Sequence, residues 1–426
     1  MTDALLVILD DAVAGSITRL PGGTLRFDYH DDYRDRPSPT PLSISMPVRI
    51  RSHPDQVITP WLWGLLPDNE AVLARWASRF HASAASPFSL LATPIGHDCA
   101  GAVRFVTPDA VDHQMNRPGG VAWLTDEDVA QRLRDLRQDA TAWLGRSFTG
   151  QFSLAGAQAK TALLWRNGRW GEPSGRMPTS HILKPAVVGL DDHDLNEHLC
   201  LDAARRAGLL VVKTHIARFG EETAIVVERY DRRNLEGDVL RVHQEDLCQA
   251  LGIPPSRKYQ NEGGPGPTDI VSVFRRAMPG RVAADAVWRF VDALAWNWLI
   301  AGTDAHAKNY SLLLAADQIR LAPLYDIASA LPYGMHEKKL RFAMKLGGDY
   351  RVFPHRNRWR DVALELAIDA DATVARVETL ALRAPDAFAS VASAQDIVSL
   401  KRDLPGRLVD LVAARTARCV QLLRAA

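Results

Sequence analysis

The chain has 426 residues, of which 47% are hydrophobic and 24% charged, with a formal net charge of +1. At roughly 150 residues per domain there is room for two or three folded units. The near-neutral balance excludes a global electrostatic grip on nucleic acid or membrane, so any such contact must come from a local patch. Short apolar or alternating runs separated by Gly and Pro (ALLVILDD, GSITRL, PGGTLRFDY, PLSISM) predict a β-rich start over residues 1–50. The first run has no basic flank and is broken by Asp10 and Asp11, so it is expected to be a strand and not an export signal. Residues 58–92 show apolar positions at helical spacing, and Pro67–Asp68 predicts a helix start. Ala100–Val106 returns to strand character. The polar stretch Asp109–Gly120, ending Pro-Gly-Gly, marks a boundary, and Thr125–Leu144 has the pattern of a connecting amphipathic helix. Gln151–Trp165 reads as two strand-like runs joined by the small turn Ala155, Gly156, Ala157. A strand (181–185, HILKP), a helix (Leu195–Ala207) and a strand (Ile225–Tyr230) follow. From about residue 243 the chain is mostly helical, with a rigid turn at Gly263–Pro267. No run reaches the ~18 apolar residues of a membrane span. Cys99, Cys200, Cys248 and Cys419 are scattered without a C-x-x-C, which argues against disulfides or zinc and fits a reducing cytoplasm.

The stretch 295–326 concentrates the chemistry. Asp304 and Asn309 stand at D-x-x-x-x-N spacing after an apolar helical run, and Asp326 follows a strand-like segment, Ile319–Leu324. Phosphoryl transfer needs a carboxylate to orient the attacking hydroxyl, and an Asn and a second Asp to hold Mg²⁺. The spacing matches the catalytic loop of protein kinases. A polar loop with capping acids would carry the same fragment, so the rest of the chain has to decide. Lys184 ends the HILKP strand, where a kinase sets a lysine against the α- and β-phosphates, and Glu197 on the next helix is its natural partner. The segment Ala155, Gly156, Ala157, Gln158, Ala159, Lys160 could cover phosphates with main-chain N–H groups. It lacks G-x-G-x-x-G and is no Walker A loop, so a plain hairpin turn fits it as well. Glu228, Arg229 and Tyr230 end a strand as a kinase hinge does. His306 has no second His or Cys at metal-ligand spacing and is expected to brace its loop. Lys308 is either a surface charge or a cation that neutralises the transferring phosphoryl group. The run Arg351–Arg360 could meet phosphates or an acidic partner, or be a solvated loop. The pairs Trp61/Trp63 and Trp296/Trp298 are expected in the core.

The chain resembles, nearly end to end, the HipA family of bacterial serine/threonine-protein kinases, the toxin half of a type II toxin–antitoxin pair. PLSISMP, LLPDNE and PFSLLATPIGHDCAGAV carry the likeness to the family's N-terminal subdomain. SLAGAQAKTALL, HILKP, NEHLCL, VVERYDR, HQEDLCQALG, KYQNEGGPG, NWLIAGTDAHAKNYSL and PLYDIASALPY carry it through the kinase part. The resemblance implies an α+β, two-lobed kinase-like fold with a mostly helical C-lobe and an added β-rich N-terminal subdomain. Its implied divisions are 1–110 for that subdomain, 111–150 as a connector, 151–235 as the small lobe and 236–426 as the large lobe. It also implies ATP and Mg²⁺ as cofactors, Asp304 as the catalytic aspartate that orients or deprotonates the substrate hydroxyl, Asn309 and Asp326 as metal ligands, and Lys184 as the phosphate lysine. Residues 155–160 become the phosphate loop, residues 228–230 the adenine segment, and His306 and Tyr325 nucleotide-lining residues. Ser153 matches a serine that the family autophosphorylates, and charge placed there should repel ATP and eject the loop. The implied partners are a HipB-like helix-turn-helix antitoxin, operator DNA mainly through that antitoxin, and a protein substrate expected to be an aminoacyl-tRNA synthetase, all in the cytoplasm. One departure stands out: residues 361–372 (DVALELAIDADA), where the best-known member offers basic side chains to DNA, are acidic here. A non-catalytic corepressor and a small-molecule kinase of the aminoglycoside type are the competing readings.

Overall fold

The computed structural model describes residues 3–116, 119–144, 152–235, 238–316 and 318–425. Near the N-terminus β1 (Ala4–Leu9), β2 (Ala12–Arg19), β3 (Leu25–Tyr29), β4 (Ser52–His53) and β5 (Arg104–Val106) form an antiparallel sheet in the order β4-β3-β2-β1-β5. Asp10 and Asp11, which break the first apolar run, take φ of 51° and 54° and close the β1–β2 hairpin. Aspartate tolerates this left-handed geometry better than most residues. PLSISM, expected as a strand, is a turn closed by a Ser43–Met46 bridge. Leu42 and Met46 are nonetheless buried, and the Tyr29 hydroxyl donates to the Met46 carbonyl (2.7 Å). Alternation here reports burial and not sheet pairing.

Two helices, Asp55–Gly64 and Glu70–Phe80, pack on this module. The second starts later than Pro67–Asp68 suggested, because the Asn69 side chain accepts from the N–H groups of Ala71 and Val72 and caps it. The connecting helix spans Asp126–Gln138 behind a Thr125/Asp128 capping box. It ends short of Leu144, since Asp139 turns extended and accepts from Thr141 N–H (2.9 Å). Residues 117–118 of the expected boundary, 145–150 of the connector and Gln151 lie outside the described residues.

The next sheet contains β6 (Gly120–Leu124), β7 (Thr161–Arg166), β8 (Arg169–Ser174), β9 (His181–Pro185), β10 (Thr214–Phe219) and β11 (Glu222–Glu228), in the order β10-β11-β9-β7-β8-β6. Residues 152–154, expected in a strand, make only an isolated bridge at Ser153; regular pairing begins at Thr161. The sheet is shared between two cores by the two-residue period of a strand. Ala224 and Val226 of β11 join the N-terminal core with Phe152, Leu154, Leu163 and Leu183. Ile225 and Val227 join the large core with Leu195 and Leu199 of the helix His193–Arg206.

Beyond it lie the hairpin β12 (Arg232–Leu235) and β13 (Asp238–Arg241), the sheet of β14 (His243–Asp246), β15 (Ser311–Ala315) and β16 (Gln318–Leu321), and the hairpin β17 (Arg341–Leu346) and β18 (Asp349–Arg351). Long helices, Gly280–Ile300, Ala370–Ala392 and Leu404–Arg424, build the rest. Trp61, Trp296 and Trp298 are fully buried, and the four cysteines are free and buried. No helix among the described residues is long and apolar enough to cross a membrane. The Arg351–Arg360 run is not an open basic patch. Arg351 pairs with Asp349, Arg356 with Asp361 and Arg360 with Asp371, while Arg358 is buried and donates to the Arg351 carbonyl.

Candidate active site

The helix Gly280–Ile300 aims the central loop. It ends at Ala301 (φ 56°), and Gly302 N–H donates back to the Asn297 carbonyl (2.8 Å). A Cβ on Gly302 would lie 2.1 Å from Asn297 Oδ1, so a larger residue would have to displace the Asn297 side chain. The chain then crosses a cleft of ≈ 620 Å³ whose walls include Asp304, His306, Lys308, Asn309, Tyr325 and Asp326. The Asp304 carbonyl accepts from His306 N–H (2.9 Å) and from Asn309 Nδ2 (2.7 Å), which locks the D-x-x-x-x-N loop on itself. Asp326 enters on a separate segment. Leu324 pairs with the 210–212 segment through two 2.9 Å main-chain bonds, and Ser329 Oγ donates to the Ile300 carbonyl (2.6 Å). Between these anchors Asp326 takes φ 57°. Tyr325 fastens the two segments together, its hydroxyl donating to the Lys308 carbonyl (2.8 Å).

Lys184, on β9, reaches both Glu197 Oε1 (2.8 Å) and Asp326 Oδ1 (2.7 Å). Burial alone would weaken it as a base, but the two carboxylates hold it above the usual lysine range. Burial likewise opposes ionisation of Asp326, yet Lys184 and Lys160 hold it well below the usual carboxylate range. Asp304 is desolvated by the cleft walls and raised, against the Tyr259 hydroxyl, which lowers it. Its side chain is 68% open to solvent. His306 is pushed down to about 3 by burial and by Lys258 and Lys308, so it is a neutral ring.

The segment 155–160 lies against the N-terminal module. Gly156 has φ 104°, and its carbonyl accepts from Asp68 N–H (3.1 Å). Lys160 Nζ donates to the Ala155 carbonyl (2.6 Å). Ala159 does not line the cleft and packs on the N-terminal core instead. Ser153 is wholly buried, with its hydroxyl donating to the Leu65 carbonyl (2.7 Å) and its N–H to the Asp98 carbonyl (2.9 Å). At the hinge-like segment, the Arg229 guanidinium is committed to Asp231 Oδ2 (2.7 Å), Thr179 Oγ1 (2.8 Å) and the Cys99 carbonyl (3.0 Å), so it is not available to a ligand. Tyr230 stacks on Tyr325 (centroids 5.6 Å apart) and donates to Gln244 Oε1 (2.6 Å). Lys308 is no surface charge, being buried against Asp68. The cleft also holds polar groups without a partner among the described residues: Gln158 Nε2, His306 Nδ1 and Glu197 Oε2.

Residues 5–106 match the HipA N-terminal domain, and residues 152–388 match the HipA-like C-terminal domain. The chain belongs to the HipA family. It is 31% identical over 416 residues to the putative kinase Y4mE of Sinorhizobium fredii, covering 97% of each chain. It is 32% identical over 336 residues to the serine/threonine-protein kinase toxin HipA of Shewanella oneidensis, covering 75% of this chain and 73% of that one. Its fold superimposes with a TM-score of 0.84, at 25% identity, on HipA solved with HipB and operator DNA from that organism, over 99% and 98% of the two chains. The two-lobed, kinase-like α+β architecture and HipA-type serine/threonine-kinase character follow. The sequence offered Asp68 only as a helix start and gave Asp98, Lys258 and Tyr259 no role, yet the fold draws all four to the cleft or to the Arg229–Arg241 segment beside it. The motifs LLPDNE, GHDCAGAV and KYQNEGGPG contain them, but nothing in their spacing announces partners from 45 to 190 residues away.

Proposed function

We propose that this chain transfers the γ-phosphoryl group of ATP to a serine or threonine hydroxyl of a protein. The observation that carries the reading is Lys184 bridging Glu197 and Asp326 in the same cleft as Asp304 and Asn309. In this reading Lys184 binds the α- and β-phosphates and Glu197 keeps it in place. Residues 155–160 cover the phosphates, a role supported by the partnerless Gln158 Nε2 and the left-handed Gly156. The main chain of Glu228–Tyr230 receives the adenine edge, over a floor of Tyr325 with His306 alongside. The volume is within the ordinary range of small-molecule sites. Asn309 and Asp326 would hold Mg²⁺, which when bound neutralises charge on the β- and γ-phosphates. Asp304 accepts a hydrogen bond from the acceptor hydroxyl and aims it in line with the γ-phosphorus. Lys308, fixed by Asp68, adds positive potential where charge builds up.

Ser153 is assigned as a self-phosphorylation site. Its hydroxyl is buried and bonded to Leu65, so a phosphate there cannot be accommodated without releasing the loop. The family and the solved HipA–HipB–operator DNA assembly of its Shewanella relative support a HipB-like antitoxin as partner, with DNA engaged mainly through it. The internally paired arginines and the acidic 361–372 stretch argue in the same direction. An aminoacyl-tRNA synthetase is the assigned substrate, by family resemblance. Purified protein incubated with Mg²⁺ and γ-³²P-ATP should incorporate label at Ser153. Absence of label together with tight binding of a HipB-like antitoxin would favour a corepressor without catalysis.

A further inference from the structure

Two motifs far apart in the chain, LLPDNE (65–70) and KYQNEGGPG (258–266), meet at the central loop. Asp68 precedes the helix Glu70–Phe80 of the N-terminal module. One of its carboxylate oxygens accepts from Lys258 Nζ (2.7 Å) and the other from Lys308. These side chains are 11%, 14% and 3% exposed respectively, so the triad is an internal one. Tyr259, next to Lys258, donates its hydroxyl to Asp304 Oδ1 (2.8 Å) and meets His306 edge to face at 5.0 Å. The turn that carries it is stiff. Gly264 N–H donates to the Tyr259 carbonyl (2.9 Å), and a Cβ on Gly264 would lie 2.2 Å from the Arg257 carbonyl oxygen. Arg257 donates to the Gly263 carbonyl (3.0 Å), and Gln260 Oε1 accepts from Lys345 N–H (2.7 Å).

We propose that Tyr259 is a positioning residue for Asp304, and that Asp68 of the N-terminal module holds it in place. The N-terminal module then completes the kinase site in cis. This rests on Asp304 acting as the acceptor-orienting carboxylate. Asp304 is 68% exposed, so packing does little to restrain its carboxylate. A donor on Oδ1 fixes the carboxylate plane and leaves Oδ2 for the acceptor hydroxyl, the arrangement in which a catalytic base is itself oriented by a third group. Lys258 and Lys308 would repel one another in so confined a space. Asp68 between them removes that repulsion and pins the Lys258–Tyr259 turn against the loop that carries Asp304. The same residue's N–H holds the Gly156 carbonyl, so one turn of the N-terminal module touches both the phosphate side and the acceptor side of the cleft.

The test uses the full-length protein and two readouts: the single-turnover rate of γ-phosphoryl transfer from Mg-ATP, to Ser153 or to water, and the affinity for Mg-ATP. Tyr259→Phe should slow transfer roughly 10- to 100-fold, the scale of one hydrogen bond to a charged group, with ATP affinity unchanged within about twofold. Asp68→Asn should slow transfer by roughly tenfold or more on the same grounds, without weakening ATP binding. A parental rate in Tyr259→Phe while Asp304→Asn is inactive would overturn the proposal. So would a faster rate, which would make Tyr259 a plug, or a joint fall in rate, affinity and melting midpoint, which would make it a packing residue. A parental rate in Asp68→Asn would remove the N-terminal module from the site. A parental rate in Asp304→Asn would instead remove the reading on which the proposal rests.

Discussion

Lys184 and Lys160, both lining the cleft, carry their charge on different terms. Lys184 has a carboxylate on either side (2.8 and 2.7 Å) and keeps its proton firmly. Lys160 donates to the Ala155 carbonyl (2.6 Å) and sits over the face of Trp143 at 5.0 Å, and burial, with Lys184's charge behind it, pushes its pKa down to about 8 against the pull of Asp326, Asp68 and Glu197. A triphosphate brought near Lys160 favours the protonated form, so ligand binding should raise that value. The sign follows from linkage: affinity for Mg-ATP is greatest where Lys160 is already charged, and falls as pH rises through about 8. Titration calorimetry between pH 7 and 9 should show weakening affinity with proton uptake on binding. Lys160→Met should bind more weakly at pH 7 and lose that pH dependence; an unchanged pH profile in Lys160→Met would assign the titration elsewhere.

At the scale of elements, patterning carried far where one segment decided its own structure. HILKP became β9, IVVE became the end of β11, and the 195–207 helix runs His193–Arg206, two residues earlier at its start and one at its end. These segments have a strong period and clear ends. Pattern failed where a tertiary partner decided. PLSISM alternates because Leu42 and Met46 are buried beneath Tyr29, not because a neighbouring strand pairs with it. Residues 152–154 are extended, but are held by Asp98 and Leu65 of the N-terminal module and not by a ladder. The D-x-x-x-x-N loop, closed on itself by Asn309 Nδ2 on the Asp304 carbonyl, was readable because that spacing is local. Asp68 and Tyr259 were not, because their meaning depends on a contact across 190 residues, Asp68 to Lys258, and another across 45, Tyr259 to Asp304.

The whole molecule is tied together at the hinge. Asp98, buried in the N-terminal module, accepts from Arg232 (2.9 Å), Arg241 (3.1 Å) and Arg229 (3.4 Å), and its own carbonyl holds Ser153 N–H. Glu245 Oε1 accepts from Ile44 N–H (2.7 Å) and Gln249 donates to the Trp61 carbonyl (2.9 Å) across the same boundary. Removing one charge from a buried cluster costs about 3–5 kcal/mol, so Asp98→Asn should lower the urea midpoint markedly at pH 7. Burial opposes ionisation of Asp98, but Arg232, Arg241 and Arg229 hold its carboxyl below the usual range. Its stabilisation is therefore present above the unfolded carboxylate pKa and lost as pH falls through the folded one. The gap between parent and Asp98→Asn should narrow on acidification, and a constant gap would show that packing and not charge is at stake. The central claim, that Asp304, Asn309 and Asp326 form one phosphoryl-transfer site with Lys184, meets its most direct test in Asp304→Asn assayed beside the parent protein. The account predicts that Mg-ATP binding survives within a few-fold while γ-phosphoryl transfer falls by roughly 10²-fold or more. Equal transfer by the two proteins would contradict it.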